Sequence, residues 1–584
     1  MPPRSCLVLS SSFLFFFFVF IVPQRSFACP DDQKQALLEF KYSLIETIKN
    51  ESTTDVFLGD IDTWVQNSDC CRWKLVRCDT RSPAREVVGL DLYSLDLSGS
   101  VSSNLLIPIL RINSLVELDV SSNSIQGEIP RHGFVNLTRL VSLDMKDNGF
   151  NGSVPPELFS LRNLQHLDLS RNVIGGTLSG DIEELKNLQE LILDENLIQG
   201  EIPPEIGNLT ELRKLSLRQN RFSGQIPVSI LQLIKLETFD LQNNSLSFKI
   251  PDGIGNLVNL STLSLRKNNL SGEIPSTIQK LSNLETLHLE DNNLSGEIPA
   301  WLFGLEKLKI LRLGGNNFHW NNNASVVAKC KLMQLSLRSC GLKGPIPDLL
   351  KNQTDLLHLD LSENELEGIF PKWLADLEIG TVILSDNKLT GSLPPSLFQT
   401  LNLSVLSLSR NKFSGQIPET IGDTRSVMIL MLSENNFSGP VPKSISNIYR
   451  LLLLDLSKNS FSGEFPRFDP ESLLAFVDIS SNKFSGNVPT GFGLNTIMLS
   501  MSQNSFSGEL PQNFSNLAFL EHLDLHDNRI SGKIPSFISR LSSLEVFNLR
   551  NNSLEGPIPE GISNLTRLRI LDLSENSLDG PIPP

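Results

Sequence analysis

Three polar side chains, His522, Asp524 and His526, share one face of a predicted strand, because alternate residues of a strand point the same way. Imidazole and carboxylate groups are metal ligands, but these two histidines are spaced about 13 Å apart along the strand, too far to share one ion. A two-ligand site that uses Asp524 is the alternative to a solvated polar face. We favour the solvated face and predict no metal site.

Sequence motifs of the common catalytic sites are absent. The chain has no phosphate-binding P-loop, no Gly-x-Ser-x-Gly elbow and no His-Glu-x-x-His motif. Two acidic pairs, Asp194-Glu195 and Glu290-Asp291, occupy adjacent positions at strand edges instead of facing each other across a cleft, so they give no glycosidase signal. We therefore predict a protein that is not an enzyme, with no catalytic residue and no cofactor.

The first 28 residues have the pattern of a cleaved secretory signal. Arg4 precedes an apolar run from Leu7 to Val22, and Ser26-Phe27-Ala28 forms a small-x-small cleavage site. A membrane anchor is the alternative, but the run is short and interrupted by three serines. We predict a signal peptide over residues 1–28 and entry into the secretory pathway.

Cysteine usage agrees with that compartment. Four cysteines precede the repeats described below: Cys29, Cys70, Cys71 and Cys78. In an oxidising lumen such a cluster predicts disulfides and not a zinc site. Adjacent cysteines rarely bond to each other, so Cys29–Cys70 with Cys71–Cys78 is preferred to the crossed pairing. Cys330 and Cys340 flank a predicted strand that separates them by about 20 Å, so both are predicted to be buried free thiols.

The composition is that of a water-soluble globular protein, with 20% charged and 40% hydrophobic residues among 584. The formal net charge is −15, and the sequence has no basic run. Both features argue against nucleic-acid binding, because binding phosphates needs clustered Lys and Arg residues. The 37 glycines and 33 prolines, if evenly spaced, indicate a turn that is repeated many times.

One phrase, Leu-x-x-Leu-x-Leu-x-x-Asn-x-Leu-x-Gly-x-Ile-Pro, recurs from about residue 86. Its asparagine position occurs 21 times between Leu95 and Asn576, which gives a period of about 24 residues. In one such repeat Leu212, Leu215 and Leu217 point inward, Ser216 points outward, and the amide of Asn220 satisfies backbone groups of adjacent coils. One coil cannot bury its own leucines, so the coils must stack.

This period predicts an α/β-type leucine-rich-repeat solenoid. The expected architecture is a right-handed superhelix of about 21 repeats, with a concave parallel β-sheet and a disulfide-stapled N-terminal cap. The expected division is a signal peptide at 1–28, a cap at 29–84 and the solenoid at 85–584.

Two groups of side chains on the concave face are candidate binding sites. The first is apolar, although its positions face solvent, and an exposed apolar patch commonly marks an interface: Val405, Met428, Ile429, Met431, Leu452, Leu453, Phe476 and Met498. Local covering by neighbouring side chains is the alternative. The second group is basic and interleaved with acids: Arg213, Lys214, Arg218, Arg266, Arg312 and Arg338. For this group a solvated face is favoured over capture of a peptide carboxylate.

Two places depart from the repeat. The tenth repeat lacks Gly-x-Ile-Pro after Asn316, so we expect a repacked convex segment with Trp320 in the core, with a protruding binding loop as the alternative. The last coil shows Leu568, Leu571 and Leu573 without a polar cap, which predicts a fragment or a truncated product.

Fifteen Asn-x-Ser/Thr sequons fit a secreted surface, and about half are expected to be glycosylated. They begin at Asn50, Asn136, Asn151, Asn208, Asn243, Asn259, Asn269, Asn293, Asn323, Asn352, Asn402, Asn436, Asn513, Asn551 and Asn564.

Three features resemble the plant leucine-rich-repeat receptor-like proteins, a family of kinase-less cell-surface receptors. The segment from Cys29 to Lys41 is similar to the opening helix of their N-terminal cap, and Asp69-Cys70-Cys71-Arg72-Trp73 is similar to its end, although Leu75 stands where glycine is usual. The Leu-x-Gly-x-Ile-Pro phrase is of the plant extracellular type. The resemblance covers residues 29–584.

The resemblance implies the ectodomain of a plasma-membrane glycoprotein that senses an extracellular peptide, protein or glycan ligand in defence or development. Such receptors signal through an adaptor receptor kinase and a SERK-type co-receptor kinase. The transmembrane helix that the family implies is not in this chain. The alternatives are a soluble apoplastic inhibitor of microbial cell-wall-degrading enzymes, and the ectodomain of a leucine-rich-repeat receptor kinase.

Overall fold

The computed structural model describes residues 29–51, 59–95, 101–321 and 327–583. The predicted signal peptide and the Asn323 sequon lie outside the described residues, and the side chain of Asn50 is not described. Within the described ranges, no helix combines the length and the hydrophobicity that crossing a bilayer requires.

The N-terminal cap is built on one helix, Asp31–Glu51. Its buried residues Leu37, Phe40 and Leu44 recur at helical spacing, so one stripe of the helix faces the core. The preferred disulfide pairing is confirmed: Cys29 bonds to Cys70 and Cys71 bonds to Cys78. The strand Val76–Cys78 then pairs antiparallel with the first strand of the solenoid.

The central sheet is the concave wall of the solenoid. It contains 21 parallel strands in the described chain, one for each predicted repeat, which confirms the predicted fold. The strands are Val87–Asp91, Glu117–Asp119, Ser142–Asp144, His166–Asp168, Glu190–Ile192, Lys214–Ser216, Thr238–Asp240, Thr262–Ser264, Thr286–His288, Ile310–Arg312, Gln334–Ser336, His358–Asp360, Thr381–Ile383, Val405–Ser407, Ile429–Met431, Leu453–Asp455, Phe476–Asp478, Met498–Ser500, His522–Asp524, Val546–Asn548 and Ile570–Asp572.

The asparagine that recurs in the phrase makes the hydrogen bonds to backbone groups that its amide chemistry predicts. Asn220 Nδ2 donates to the carbonyl oxygens of Leu193, Leu217 and Arg218 at 2.8, 3.3 and 3.2 Å, and its Oδ1 accepts from the amide of Ile198. Two of these partners belong to the preceding coil. The asparagines therefore connect successive coils and satisfy backbone groups that the turn leaves unpaired.

A second set of short parallel strands lines one lateral face, and the sequence pattern did not predict it. Its strands directly follow the asparagines and bend at glycines such as Gly224, whose φ is +75°. The strands form three groups in the described chain: Val101–Ser102, Ile125–Glu128 and Gly149–Asn151; Gln199–Glu201, Arg221–Gly224, Ser245–Lys249, Asn269–Gly272, Asn293–Glu297 and Asn317–His319; Lys343–Gly344, Glu365–Ile369, Lys388–Gly391, Lys412–Gly415, Asn436–Gly439, Ser460–Gly463, Lys483–Asn487, Ser505–Gly508, Arg529–Gly532, Ser553–Pro557 and Ser577–Asp579.

Short 3₁₀ helices form the convex side, and most begin directly after the proline of the phrase. With one short α-helix, Lys372–Ala375, they are Gly59–Thr63 and Cys70–Arg72 in the cap, then Ser103–Leu106, Ile109–Arg111, Phe134–Asn136, Pro156–Ser160, Gly180–Glu184, Pro204–Asn208, Val228–Gln232, Ile254–Asn256, Ser276–Lys280, Ala300–Gly304, Asp348–Asn352, Pro395–Phe398, Glu419–Asp423, Lys443–Asn447, Gln512–Asn516, Ser536–Arg540 and Glu560–Asn564.

Between the sheet and the convex side the core is one continuous hydrophobic column. Its C-terminal half contains a phenylalanine stack, defined as Phe413, Phe437, Phe461, Phe484 and Phe506, whose neighbouring rings lie 6.0–6.2 Å apart and nearly parallel. Offset stacking of this kind adds to the free energy gained by burial alone.

The irregular positions also have a physical explanation. Trp320 of the tenth repeat, expected in the core, is half-buried and meets the ring of Phe303 edge-on at 5.9 Å. Residues 322–326 lie outside the described chain, so the choice between a repacked segment and a protruding loop stays a prediction. Cys330 and Cys340 are free and buried, as predicted. In the last coil Leu571 is 43% exposed.

Candidate ligand-binding surface

A small polar cavity opens on the concave face at the eighth to twelfth coils. Its volume is about 220 Å³. It is lined by Arg266, Glu290, Asp291, Arg312, Gly314, Ser336, Arg338, His358 and Asp360. The cavity is smaller than the pockets that enclose whole small-molecule ligands, so its size fits one functional group of a larger ligand.

The cavity borders a column of equivalent positions in which one residue, Gly314, has no side chain. Arg266, Glu290, Gly314 and Arg338 are spaced by 24 residues, so they occupy the same place in four successive coils. A Cβ atom at Gly314 would lie 2.9 Å from Arg338 Cβ and 3.0 Å from its carbonyl oxygen. Glycine at this position therefore permits the close approach of Arg338, whose side chain reaches Asp291 at the cavity.

Glu290 forms the floor of the cavity. The residue is 7% exposed, and among the described residues neither carboxylate oxygen has a hydrogen-bond partner. Its charge is balanced at longer range, because Oε1 lies 3.4 Å from Arg266 Nε and 3.9 Å from Arg312 Nη1. Burial raises the pKa of Glu290, and the two arginines only partly offset that effect.

His288 lies beside Glu290 on the strand that pairs with Arg312. Its pKa is lowered to about 4, first by burial and then by the positive charges of Arg312 and Arg266. His288 is therefore neutral above about pH 5, and its Nε2 has no hydrogen-bond partner in the described chain. His358, on the far side of the cavity, also has a lowered pKa because of burial and Arg312.

The remaining basic groups differ in how firmly they are held. Arg338 donates to Asp291 Oδ1 at 2.7 Å and to Glu363 Oε1 at 3.1 Å. The Nε atoms of Arg266 and Arg312 are buried and have no hydrogen-bond partner within the described residues. The cavity thus combines two arginines and a carboxylate that form ion pairs with one another, while Arg266 Nε, Arg312 Nε and both Glu290 oxygens make no hydrogen bond within the described chain. This arrangement can receive a ligand group bearing an anion and a hydrogen-bond donor.

The structure divides the predicted basic group in two. Arg266, Arg312 and Arg338 meet at the cavity, whereas Arg213 pairs with Glu237 at 2.6 Å and Arg218 pairs with Asp194 and Glu195 at 3.0 and 3.1 Å. Lys214 lies half-buried on the same strand as Ser216.

The basic residues themselves are exposed or half-exposed, so the choice between a solvated face and a binding site stays a prediction, but several positions beside them are covered. Asp194 and Glu290 are 8% and 7% exposed, and Ser216, expected to point outward, is buried at 3%. The long side chains of neighbouring coils cover these positions, as where Arg218 lies over Asp194 and Ser216 Oγ donates to the same carboxylate. The sequence signal for this site was the glycine at Gly314 in a column of charged residues.

The predicted apolar group forms a continuous strip. Val405, Ile429, Leu453, Phe476 and Met498 are direct cross-strand neighbours in five successive strands. Met428 is 44% exposed, and the other seven predicted residues are half-buried because they partly cover one another. We call these eight residues the apolar strip: Val405, Met428, Ile429, Met431, Leu452, Leu453, Phe476 and Met498. Its role in binding stays a prediction.

The sequon asparagines that the structure describes lie at the surface of the solenoid. Asn243 and Asn551 lie just beyond the strands, where their φ angles are +56° and +51°. Thirteen sequon asparagines fall on described side chains and all are exposed, so each is accessible to a glycan, and their modification stays a prediction. At the C-terminal coils His526 Nδ1 lies 2.7 Å from Asp524 Oδ1, which places this imidazole in an ion-pair arrangement on the face.

Family models match most of the described coils. A leucine-rich-repeat model matches residues 152–198, 210–270, 259–318 and 520–578, and a second one matches 355–377, 402–423 and 495–517. A leucine-rich-repeat N-terminal domain model matches residues 30–79. The chain is also 68% identical over 147 residues to Receptor-like protein 46 of Arabidopsis thaliana, and 33% identical over 152 residues to Receptor-like protein 7 of the same plant.

Solved receptor structures match almost the whole chain. The Arabidopsis receptor kinase HAESA, solved with the peptide hormone IDA and the co-receptor SERK1, is 33% identical, with a TM-score of 0.76 over 95% of this chain and 91% of that one. The chain belongs to the plant leucine-rich-repeat receptor family. PEPR1, solved with AtPEP1, is 30% identical, with a TM-score of 0.71 over 95% of this leucine-rich-repeat receptor ectodomain and 83% of that chain. The alignments to the two receptor-like proteins cover 25% and 26% of this ectodomain but 18% and 14% of those relatives.

Proposed function

We propose that this ectodomain senses an extracellular peptide, which lies extended along the concave face with an anionic group in the cavity at Gly314. The observation that carries the proposal is a set of buried polar atoms lining that cavity that make no hydrogen bond within the described chain: both carboxylate oxygens of Glu290 and the Nε atoms of Arg266 and Arg312. Buried polar groups are nearly always hydrogen-bonded, so a cluster of exceptions at an open cavity is typical of a site that a ligand or water completes.

The proposed ligand length follows from the spacing of the strands. The cavity at Arg312 and the apolar strip at Phe476 are seven strands apart, which is about 34 Å at a spacing of about 4.8 Å. An extended peptide advances about 3.3 Å per residue, so about ten residues connect the two regions. A ligand of this length places its anionic group on the arginines and its apolar side chains on the strip.

The cavity favours a carboxylate on electrostatic grounds. A guanidinium pairs with a carboxylate through two parallel hydrogen bonds, and Arg312 and Arg266 have buried Nε donors that no described residue accepts. His288 stays neutral beside them, since its lowered pKa keeps it from adding positive charge at the pH of the extracellular space. The donors of Arg266 and Arg312 then determine where the anion binds.

The signalling partners and the location belong to the same proposal. The ectodomain faces the extracellular space at the plasma membrane, and its ligand-bound form recruits an adaptor receptor kinase and a SERK-type co-receptor kinase for defence or developmental signalling. The HAESA complex supports this assignment, because that related ectodomain was solved together with a peptide hormone and the co-receptor SERK1.

A peptide-binding assay tests the proposal. Ten-residue peptide libraries with free C-terminal carboxylates, and the same libraries with amidated C-termini and no acidic residues, are incubated with the secreted ectodomain. We expect enrichment from the carboxylate library only. Arg312→Gln, Gly314→Val and the pair Ile429→Asp and Phe476→Asp should each reduce binding at least about tenfold, a loss of about 1.4 kcal/mol or more.

Arg213→Gln is the matched control, because Arg213 pairs with Glu237 outside the cavity and should leave binding unchanged. Normal secretion and an unchanged Tm show that each variant is folded. The proposal fails if neither peptide library is enriched, if the amidated library is enriched equally, or if Arg312→Gln binds as the wild type does.

A further inference from the structure

Three potential metal ligands converge on the concave face near the N-terminal end of the solenoid. One ligand atom each from Asp144, His166 and Asp168 lies within 4.8 Å of the other two. Asp144 and Asp168 are cross-strand neighbours, and His166 is two residues before Asp168 on the same strand, so all three side chains share one face. Asp168 is 6% exposed, and the other two are half-buried.

The chain contains its own comparison for this arrangement. The sequence His-Leu-Asp occurs on three central strands, at His166, His358 and His522. The residue paired with the aspartate on the preceding strand is Asp144 in the first case, but it is Ser336 and Ser500 in the other two. A second carboxylate therefore completes a three-ligand set at His166 and at neither of the other two strands.

Surrounding groups hold these ligands in place. The Nδ1 atom of His166 lies 3.1 Å from Glu190 Oε2, and contact between a carboxylate and the imidazole is a common support for a metal-binding histidine. Asp168 Oδ1 accepts hydrogen bonds from the amide and the hydroxyl of Ser170, and Asp144 Oδ1 accepts from the amide of Lys146. In each aspartate these bonds fix the carboxylate.

The cluster already attracts positive charge. Asp119 pairs across the sheet with Asp144, so three aspartates are stacked on successive strands, and like charges directly opposite each other are unfavourable. Lys146 Nζ donates to Asp144 Oδ2 at 2.9 Å.

We propose that Asp144, His166 and Asp168 bind a divalent transition-metal ion of the Zn²⁺ class, with Lys146 as the competing cation. One imidazole and two carboxylates are ligands that Zn²⁺ takes at about 2.0–2.2 Å, with water in a fourth position, whereas Ca²⁺ takes six to eight oxygen ligands. Two ligand atoms of a tetrahedral Zn²⁺ lie about 3.4 Å apart, so atoms within 4.8 Å of one another need side-chain shifts on the order of 1 Å to close the set. The site is about six strands, or about 29 Å, from the cavity at Gly314 and does not depend on the peptide proposal.

The test is isothermal titration calorimetry of the secreted, chelator-treated ectodomain with ZnCl₂. We expect one site per chain in the wild type. Asp144→Ser and His166→Ala should weaken Zn²⁺ binding at least about tenfold, since loss of even a supporting group costs about that much. Lys146→Met should tighten binding several-fold, because it removes the competing ammonium group. That gain separates a metal site from a merely structural cluster.

Asp144→Ser is a mild change, since serine occupies the equivalent position at Ser336 and Ser500. His526→Ala is the control for adventitious zinc at the C-terminal His526–Asp524 pair and should leave the site intact. Tm values without metal show that each variant is folded. The proposal is overturned if the wild type does not bind Zn²⁺, if it binds CaCl₂ more tightly, if Asp144→Ser binds as the wild type does, or if Lys146→Met weakens binding.

Discussion

Because His288 stays neutral in the folded chain, acid should lower the free energy of unfolding by a measurable amount. Its pKa is about 4 in the folded chain and takes the ordinary value of 6.5 when the chain unfolds. Between these values the unfolded chain binds a proton that the folded chain does not, so the free energy of unfolding falls as the pH falls. The contribution is fully present above about pH 6.5 and is lost progressively toward about pH 4.

The size of the effect follows from the shift. A difference of about 2.5 pKa units corresponds to about 3 kcal/mol. His288 keeps some access to solvent, so we expect roughly 2 kcal/mol of it to be observed. Glu290 acts in the opposite direction, because its raised pKa lets the folded chain bind a proton more readily. Comparison with a variant that lacks only His288 separates the two contributions.

The assay is urea unfolding at several values between about pH 7 and about pH 4.5, on the wild type and on His288→Ser. Serine is the residue at Ser264, the cross-strand neighbour of His288, so the change follows the pattern of the sheet. The variant should lose less stability than the wild type over this range, by roughly 2 kcal/mol. His319→Ser, at an exposed position, should match the wild type.

Equal pH dependence in His288→Ser and the wild type would refute the reasoning. A direct measurement gives the same decision, because hydrogen–deuterium exchange at the imidazole C2 atom reports the pKa of each histidine in the folded chain. A pKa of His288 near 6.5 would show that water or a counter-charge reaches the ring, and that the cavity is more polar than its lining indicates.

Three further predictions concern the scaffold. Asn220→Ala should lower the free energy of unfolding by about 2–4 kcal/mol in urea titrations, because it removes four hydrogen bonds and leaves backbone groups unpaired. A loss below about 1 kcal/mol would contradict the role of the asparagines in connecting successive coils. Phe437→Ala should lower the free energy of unfolding by about 3–5 kcal/mol, since the ring is fully buried between two stacked neighbours. The control Phe519→Ala should change it little, because Phe519 is 60% exposed, and similar losses for both variants would exclude a special contribution of the stack. Cys330 and Cys340 should not react with iodoacetamide in the folded chain, because burial raises their pKa values to about 11 and about 12. Both thiols should react after unfolding without reductant, and labelled thiols detected by mass spectrometry before unfolding would show that these coils open.

Much of the fold follows from local sequence, because each coil repeats one short phrase. The leucines at Leu212, Leu215 and Leu217 and the amide of Asn220 have the roles that their spacing predicts, and the period alone sets the register of 21 strands. The lateral strands were missed for a physical reason. Segments such as Asn269–Gly272 contain glycine and asparagine, which disfavour strands, and they pair because stacking brings identical segments together.

The candidate cavity could be predicted only in part. The arginines that line it were identified from the sequence, since equivalent positions of successive repeats must form a column. The burial of Glu290 and the neutral state of His288 were not, because both depend on how long side chains from adjacent coils fold over one another. The glycine at Gly314 among charged residues is evident in the sequence, but how closely Arg338 approaches it depends on the folded coils.

The stacking of coils also gives the receptor a mechanical property. Each coil contacts its neighbours along one continuous core, so the solenoid can bend by small rotations distributed over many interfaces. Bending changes the distance between Arg312 and Phe476 along the inner face. A peptide anchored at both places would act as a tether of fixed length and would hold the ectodomain at one curvature. The length of the ligand would then set the curvature of the solenoid. A partner that contacts neither anchor could detect binding because the bound solenoid bends less.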